Sequence, residues 1–193
     1  MSIQDRQRWD ERYAGGEYSE RTHPSALLER WLPEFAPGRA LDVACGAGRN
    51  ALHLAAAGFT VDGTDISAVA LQRAAHSAGT QGVSVNWLNL DLEDTALPQG
   101  PYDLVLVSRF LQHSLVPQIL DRLAAGGWLL YEQHLRSDLS DIGGPRSNRF
   151  RLRPQELLHL FGELNIAYYY EGLVVDPGGA RMALAQLVGR RQG

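Results

Sequence analysis

The feature that most constrains this chain is a rhythm: between Ala40 and Glu132, short apolar runs alternate with stretches of helical spacing. Ala40-Leu41-Asp42-Val43-Ala44 reads as a buried strand, Cys45-Gly46-Ala47-Gly48 as a tight turn, and residues 49–57 as a helix closed by Gly58. A second strand is expected over 59–64, an alanine-rich helix over 67–78 and a third strand over 83–89. Residues 102–108 give a fourth strand, 115–125 a helix and 128–132 a fifth strand. Strands alternating with helices at this pitch build βαβ units on a parallel sheet. The near-continuous apolar character of the fourth and fifth strands suits strands covered on both faces.

The flanks differ in texture. Residues 2–14 read as a helix with Ser2 as a possible N-cap, and they carry Trp9 and Tyr13 on one face before Gly15-Gly16 stops it. Ser25 opens a second amphipathic stretch, ended by Pro33, Pro37 and Gly38. After His134 the segment 135–149 is polar, contains Gly143-Gly144-Pro145, and is long for a connection in a compact domain. Pro154 begins a helix running to Phe161. Residues 166–175 and 182–188, joined by Asp176-Pro177-Gly178-Gly179, read as a closing antiparallel hairpin. The expected fold class is α/β, a Rossmann-like seven-stranded mostly parallel sheet with helices on both faces and a C-terminal antiparallel hairpin. One domain is expected over 1–193: N-terminal helices to 37, a core from 38 to 134, a loop from 135 to 153, and the helix and hairpin from 154.

Composition enters as a bound. A chain of 193 residues suits one domain with a substantial core. A net charge of −4 gives no general attraction to nucleic acid or to anionic membranes, so neither is an expected partner. Cys45 is the single cysteine and has no internal disulfide partner. No stretch resembles a signal peptide, and none approaches the ~20 apolar residues of a membrane span, so a cytoplasmic location is expected.

The chemistry concentrates at Leu41-Asp42-Val43-Ala44-Cys45-Gly46-Ala47-Gly48-Arg49-Asn50. Gly46 and Gly48 let the backbone turn sharply and admit a ligand closely. Asp42, at the strand end, is placed to accept hydrogen bonds from a cationic amine above the turn. Asp65, closing the second strand, suits the two hydroxyls of a ribose, Ile66 an adenine face, and Asp91 the adenine amine. Any one of these aspartates alone is as well read as a turn cap. Three in register with a glycine turn line the crevice where open α/β sheets bind ligands.

These residues carry a resemblance. Asp42 to Asn50, followed by Val61-Asp62-Gly63-Thr64-Asp65-Ile66-Ser67, resembles the first two motifs of class I S-adenosylmethionine-dependent methyltransferases. Trp9-Asp10-Glu11-Arg12-Tyr13 and Gly48-Arg49-Asn50 resemble the tellurite-resistance methyltransferase group and its small relatives. The resemblance implies S-adenosylmethionine as cofactor, with S-adenosylhomocysteine as product. It places the cofactor against Asp42, Gly46, Gly48, Asp65, Ile66, Asp91 and Leu92, with backbone at Ser108 and Arg109. It also implies that the N-terminal helix covers the cofactor, giving Trp9 and Tyr13 a role there. Ala44 departs from the glycine many relatives carry before Cys45. No Asn/Asp-Pro-Pro-Tyr/Phe sequence follows the fourth strand, unlike the amino-methylating nucleic-acid enzymes.

The resemblance leaves the acceptor open. Its pocket is expected beyond the fourth and fifth strands, where His113 and His134 have useful ordinary pKa values. His134 is the better-placed proton acceptor. His23 ranks lower, and His53, His76 and His159 read as structural or solvated. Cys45, inside the cofactor turn, is read as a small hydrophobe. Arg146, Arg149, Arg151 and Arg153 admit two readings: a solvated edge strand whose arginines deter pairing, or a cluster that captures an anionic acceptor. In the second, the loop forms one wall of the acceptor pocket, with His134 at its root and Arg146, Arg149 or Arg151 facing a small anionic or polar molecule. Two alternatives stand beside methyl transfer. One is an NAD(P)-dependent oxidoreductase, with Ala51 at the third glycine position, weighed against by the hairpin and Asp91. The other is a non-catalytic S-adenosylmethionine-binding module. Oligomeric state is left open.

Overall fold

A computed structural model describes residues 3–176 and 178–193. Ser2 and Pro177, named above as a cap and a turn residue, lie outside the described residues.

The sheet forms where the apolar runs fall. Its strands are β1 (Arg39–Val43), β2 (Thr60–Asp65), β3 (Asn86–Asn89), β4 (Tyr102–Ser108), β5 (Leu123–His134), β6 (Asn165–Val175) and β7 (Arg181–Arg190). Their order is β3-β2-β1-β4-β5-β7-β6. The first five pair in parallel, and β7 runs antiparallel to both β5 and β6. The helices are α1 (Ile3–Ala14), α2 (Ala26–Trp31), α3 (Arg49–Ala56), α4 (Ala68–Gln81), α5 (Val116–Arg122) and α6 (Glu156–Leu160). The expected fold class is the observed one.

Period-2 alternation sorts the strands into two cores. Leu41, Val43, Val105, Val107, Leu129, Tyr131, Ala185 and Leu187 join Ile119 of α5 and Leu157 of α6 on one face. Ala40, Val61, Leu104, Leu106, Leu130 and Val188 join Leu27 and Leu28 of α2 and Ala51 and Leu54 of α3 on the other. Asp42, Ser108, Glu132, His134 and Gln186 have the parity of this second set. They therefore lie on the same face of the sheet, within β1, β4, β5 and β7.

Boundaries shift where tertiary pairing overrides local preference. The helix expected over 115–125 stops at Arg122, because Leu123 pairs with Tyr102 and draws the two alanines into β5. A Cβ on Gly127 would come within 2.8 Å of the Tyr102 carbonyl, which explains a glycine inside that strand. β3 is also shorter than expected, starting at Asn86. The loop after β5 is not the solvated edge strand that the alternating arginines allow. Residues 148–150 form a 3-10 turn, and Leu135 meets Leu152 in an isolated parallel bridge.

Candidate functional site

The glycine turn is built around a left-handed backbone. Ala44, Gly46 and Gly48 have φ of 54°, 57° and 81°. The Ala44 value explains why glycine suits that position: an alanine held there carries local strain. Gly46 and Gly48 serve different neighbours. The space a Cβ on Gly46 would need is taken by the Tyr13 hydroxyl, whereas on Gly48 it would strike the Trp87 indole at 2.7 Å and Ala74 at 2.9 Å. Gly48 is thus required by packing of β3 and α4, a role that the turn pattern does not reveal. Gly48 N–H donates to the Cys45 carbonyl at 3.0 Å, and α3 starts from Gly48.

Two carboxylates flank the turn. Asp65 accepts from the Gly46 amide at 2.8 Å and from the Ser67 amide at 2.9 Å. Burial raises its pKa, and the amides of Ser67, Gly46 and Ile66 oppose that rise. Asp42 is fully buried, and its Oδ2 has no hydrogen-bond partner. Burial pushes its carboxyl up to about 7, against the pull of Arg49 and the Ala51 amide. Burial, followed by Asp42 and Asp65, also holds the Cys45 side chain as a thiol, in keeping with its reading as a packing residue. Ile66 is buried and belongs to neither core cluster.

Other sequence-expected positions fall differently. The side chain of Leu92 is buried in the core cluster that includes residues of α5 and α6. Asp91 lies past the end of β3 in a turn: its Oδ1 accepts from the Glu93 amide at 3.1 Å, and its carbonyl from the Asp94 and Thr95 amides. Arg151 is not available to an acceptor. It is buried, and its guanidinium donates to the carbonyls of Pro145, Leu135 and Gly143, so it holds the loop in shape. Arg146 and Arg149 are exposed, the latter stacked 4.7 Å over Phe150. His113 is also exposed, with Nε2 2.7 Å from Glu156 Oε1, and ties the start of α5 to α6.

His134 is buried, with an unpartnered Nδ1, and the loop backbone at Gly144 presses on its ring. Burial, then Arg109, Arg151 and Arg21, push its pKa down to about 3. An imidazole held neutral this way is a weak base at neutral pH and serves as a hydrogen-bond partner instead. Beside it lie residues that sequence reasoning missed. Glu132 pairs with Arg109 (Oε1 to Nε, 3.4 Å) and accepts from Gln186 at 2.7 Å; Arg109 also pairs with Asp176 at 3.1 Å. The signal for Glu132 was an acid inside an otherwise apolar strand; Asp176 read only as a turn former. Among the described residues, six buried side-chain polar atoms lack a hydrogen-bond partner, and five of them cluster at these strand ends: Asp42 Oδ2, Ser108 Oγ, His134 Nδ1, and Arg109 Nε and Glu132 Oε1, which face each other as an ion pair without hydrogen-bond geometry. Native proteins rarely leave such groups without hydrogen bonds, so each needs an explanation.

The N-terminal helix packs against the start of α4 and the glycine turn. Asp10 accepts from Ser67 Oγ at 2.6 Å and from the Val69 amide at 3.3 Å, capping α4 from outside. Arg73 donates to the carbonyls of Tyr13 and Glu17, both at 3.2 Å. Trp9, Tyr13 and Tyr18 form an aromatic group with centroids 5.7–6.4 Å apart.

Comparison with known proteins fits this geometry. Residues 40–126 match the family model of a methyltransferase domain. The chain is 33% identical over 114 residues to a ubiquinone biosynthesis O-methyltransferase of Thiobacillus denitrificans, covering 54% of this chain and 49% of that protein. It thus spans about half the length of that relative. A ubiquinone biosynthesis O-methyltransferase of Burkholderia multivorans is 30% identical, with 78% of this chain and 74% of the relative aligned. The fold superposes on TehB from Haemophilus influenzae with a TM-score of 0.74 at 20% identity, covering 86% of this chain and 61% of that one. It also superposes on a SAM-dependent methyltransferase of Methanosarcina mazei with a TM-score of 0.68 at 15% identity, covering 88% and 99%. No helix among the described residues is long and apolar enough to cross a membrane. With the strand–glycine turn–helix unit, the paired carboxylates and these relatives in agreement, the chain belongs to the S-adenosylmethionine-dependent methyltransferase family.

Proposed function

We propose that this protein transfers a methyl group from S-adenosylmethionine to a small-molecule acceptor, using the β1 turn for the cofactor and the ends of β4 and β5 for the acceptor. The observation that carries this reading is Asp42: a buried carboxylate with one oxygen unpartnered, beside a glycine turn tied to a second buried acid. The donor set fits the cofactor. Asp42 would hold its ammonium group, the Gly46 region and Asp65 its ribose, and Ile66 its adenine. When bound, the cofactor supplies an activated methyl group on a sulfonium, which needs alignment and dryness more than acid–base help.

The chain's own residues supply both. Asp42 and Asp65 bring two carboxylates to one side of the crevice, favouring a cationic ligand. Tyr13 withdraws from Gly46 to admit the ribose, and α1 then settles back over the bound molecule. This makes the helix a lid and not a fixed wall. His134, neutral and buried, orients the acceptor. The loop held by Arg151 keeps water away from it.

Calorimetry tests the cofactor half. S-adenosylmethionine and S-adenosylhomocysteine should both bind, and Asp65→Ala should weaken each by about tenfold to several hundredfold, since charge-assisted hydrogen bonds are worth ~1.5–3 kcal/mol each. Unchanged affinity in that variant would remove the ribose assignment. S-adenosylhomocysteine release across an acceptor panel tests turnover, and binding without any release would favour the sensing module instead.

A further inference from the structure

Asp10, between Trp9 and Tyr13 in sequence, ends a chain of hydrogen bonds that starts at the glycine turn. The Gly46 amide donates to Asp65 Oδ2 at 2.8 Å, and Asp65 Oδ1 accepts from the Ser67 amide at 2.9 Å. Ser67 is fully buried, and its Oγ caps α4 by accepting from the Ala70 amide at 3.1 Å. Its hydroxyl proton goes to Asp10 Oδ1, 2.6 Å away, because an ionised carboxylate only accepts. The same oxygen takes the Val69 amide at 3.3 Å. The Ser67 hydroxyl and amide are thus both committed, and displacing Asp10 strips a buried hydroxyl of its acceptor.

The position of Asp10 on α1 links this chain to the aromatic face. Tyr13 follows three residues later on the same side of the helix, and its hydroxyl fills the space beside Gly46. Arg73 of α4 adds a second tie, donating to the Tyr13 and Glu17 carbonyls. The far end of the N-terminal segment is held differently. The Ser25 amide donates to Asn50 Oδ1 at 2.9 Å, with both residues buried, and Arg49 donates to the His23 carbonyl at 3.2 Å. One end is therefore fixed to the start of α3 by a buried contact, while α1 rests on α4 through the half-buried Asp10 and Arg73.

We propose that Asp10 is the latch of the cofactor lid: a positioning residue that holds α1 closed by accepting from Ser67 Oγ and the Val69 amide, while Arg49 and Asn50 anchor the base about which α1 opens. The inference rests on the methyltransferase reading above and deepens it. Opening breaks the Asp10 contacts and lifts Tyr13 from Gly46. Closing restores those contacts over the cofactor held at Asp65. Ser67 touches both acids, so the residue that steadies the ribose wall is also the seat of the latch. A ligand that fixes Asp65 fixes that seat as well, and closure follows binding.

The experiment follows radiolabelled S-adenosylmethionine on the full chain without an acceptor. Rapid filtration gives the association rate, and a chase with excess unlabelled S-adenosylhomocysteine gives the dissociation rate. Asp10→Ala should release the label at least about tenfold faster, the factor that one charge-assisted hydrogen bond carries, and should associate no more slowly. Asp10→Asn keeps an acceptor oxygen for both donors and should restore most of the loss. In a Trp9→Ala/Tyr13→Ala chain, whose lid has no aromatic face to lay over the cofactor, Asp10→Ala should add little. Unchanged release by Asp10→Ala, slower association, or release from Asp10→Asn as fast as from Asp10→Ala would each overturn the inference. So would an undiminished Asp10→Ala effect in the chain without the aromatics, since Asp10 would then act by shaping α4 and Asp65. Loss of the folded far-ultraviolet signal in Asp10→Ala would do the same, because removing a latch leaves the domain intact. Failure of S-adenosylmethionine to bind wild type is a separate result and counts against the methyltransferase reading itself.

Discussion

Asp42 is the residue on which the site turns, and its environment is unfavourable until a cation arrives. Its folded pKa of about 7 stands above the ordinary 3.8. A carboxyl raised in this way lends full stability below about pH 4, and that stability is lost as the pH rises through 7. At pH 8 the free protein therefore buries an ionised oxygen without a partner. Asp42→Asn should melt higher than wild type at pH 8, by at least about 2–4 °C, which corresponds to ~1 kcal/mol in a chain of this size. The gap should shrink towards pH 4. The same variant should lose S-adenosylhomocysteine binding, so a single substitution would raise stability and abolish function. Melting curves across pH with and without ligand check both halves; equal melting temperatures at pH 8 would mean that the carboxylate is already compensated.

At the scale of the element, α1 is the least integrated part of the fold and the most suggestive. Neither core cluster contains a residue from 3–16. The helix is held by Asp10 at the start of α4, by Arg73, and by its aromatic face over Gly46. Removing residues 1–16 should leave a folded domain with near-native far-ultraviolet dichroism. It should also weaken S-adenosylhomocysteine binding, because the cover over the bound cofactor is lost. A truncated chain that binds as tightly as the full one would reduce Trp9 and Tyr13 to packing residues. The loop after β5 shows the opposite case. Arg151 spends its guanidinium on three carbonyls of its own segment, so an arginine that reads as a ligand in sequence is a brace in the structure.

Over the whole molecule, the two ends of the sheet carry opposite electrostatic designs. At the C-terminal ends of the strands, several buried polar atoms have no hydrogen-bond partner. Towards the other end, Asp62 is fully engaged: it accepts from Tyr102 Oη at 2.7 Å, from Arg39 at 2.9 Å and from Asn86 at 2.7 Å. Burial would raise its pKa, but the hydrogen bonds from Asn86, Tyr102 and Arg39 outweigh that and lower it. A lowered carboxyl contributes stability above the ordinary carboxylate range that disappears as the pH falls through the depressed value. Asp62→Asn should therefore melt below wild type at pH 7, and the difference should close as the pH drops below about 4. A gap that stays constant down to pH 3 would show that Asp62 acts through shape and not through charge.

The sequence by itself determined the βαβ rhythm, the closing hairpin, the glycine turn and the acids Asp42 and Asp65, because these depend on local periodicity and on short-range turn chemistry. Its errors came where distant partners decide. The strand pairing of Leu123 with Tyr102 cut α5 short. The packing of Trp87 against Gly48 and the burial of the Leu92 side chain were not legible either. His134 was legible as a candidate, but the neutrality imposed by burial and by Arg109, Arg151 and Arg21 was not, since those charges come from separate segments. Glu132 and Asp176 lie far apart in the chain and acquire meaning only where Arg109 joins them. Periodicity decides which face a side chain takes; which charges meet there depends on how the crossovers bring strand ends together, and only the folded chain specifies that.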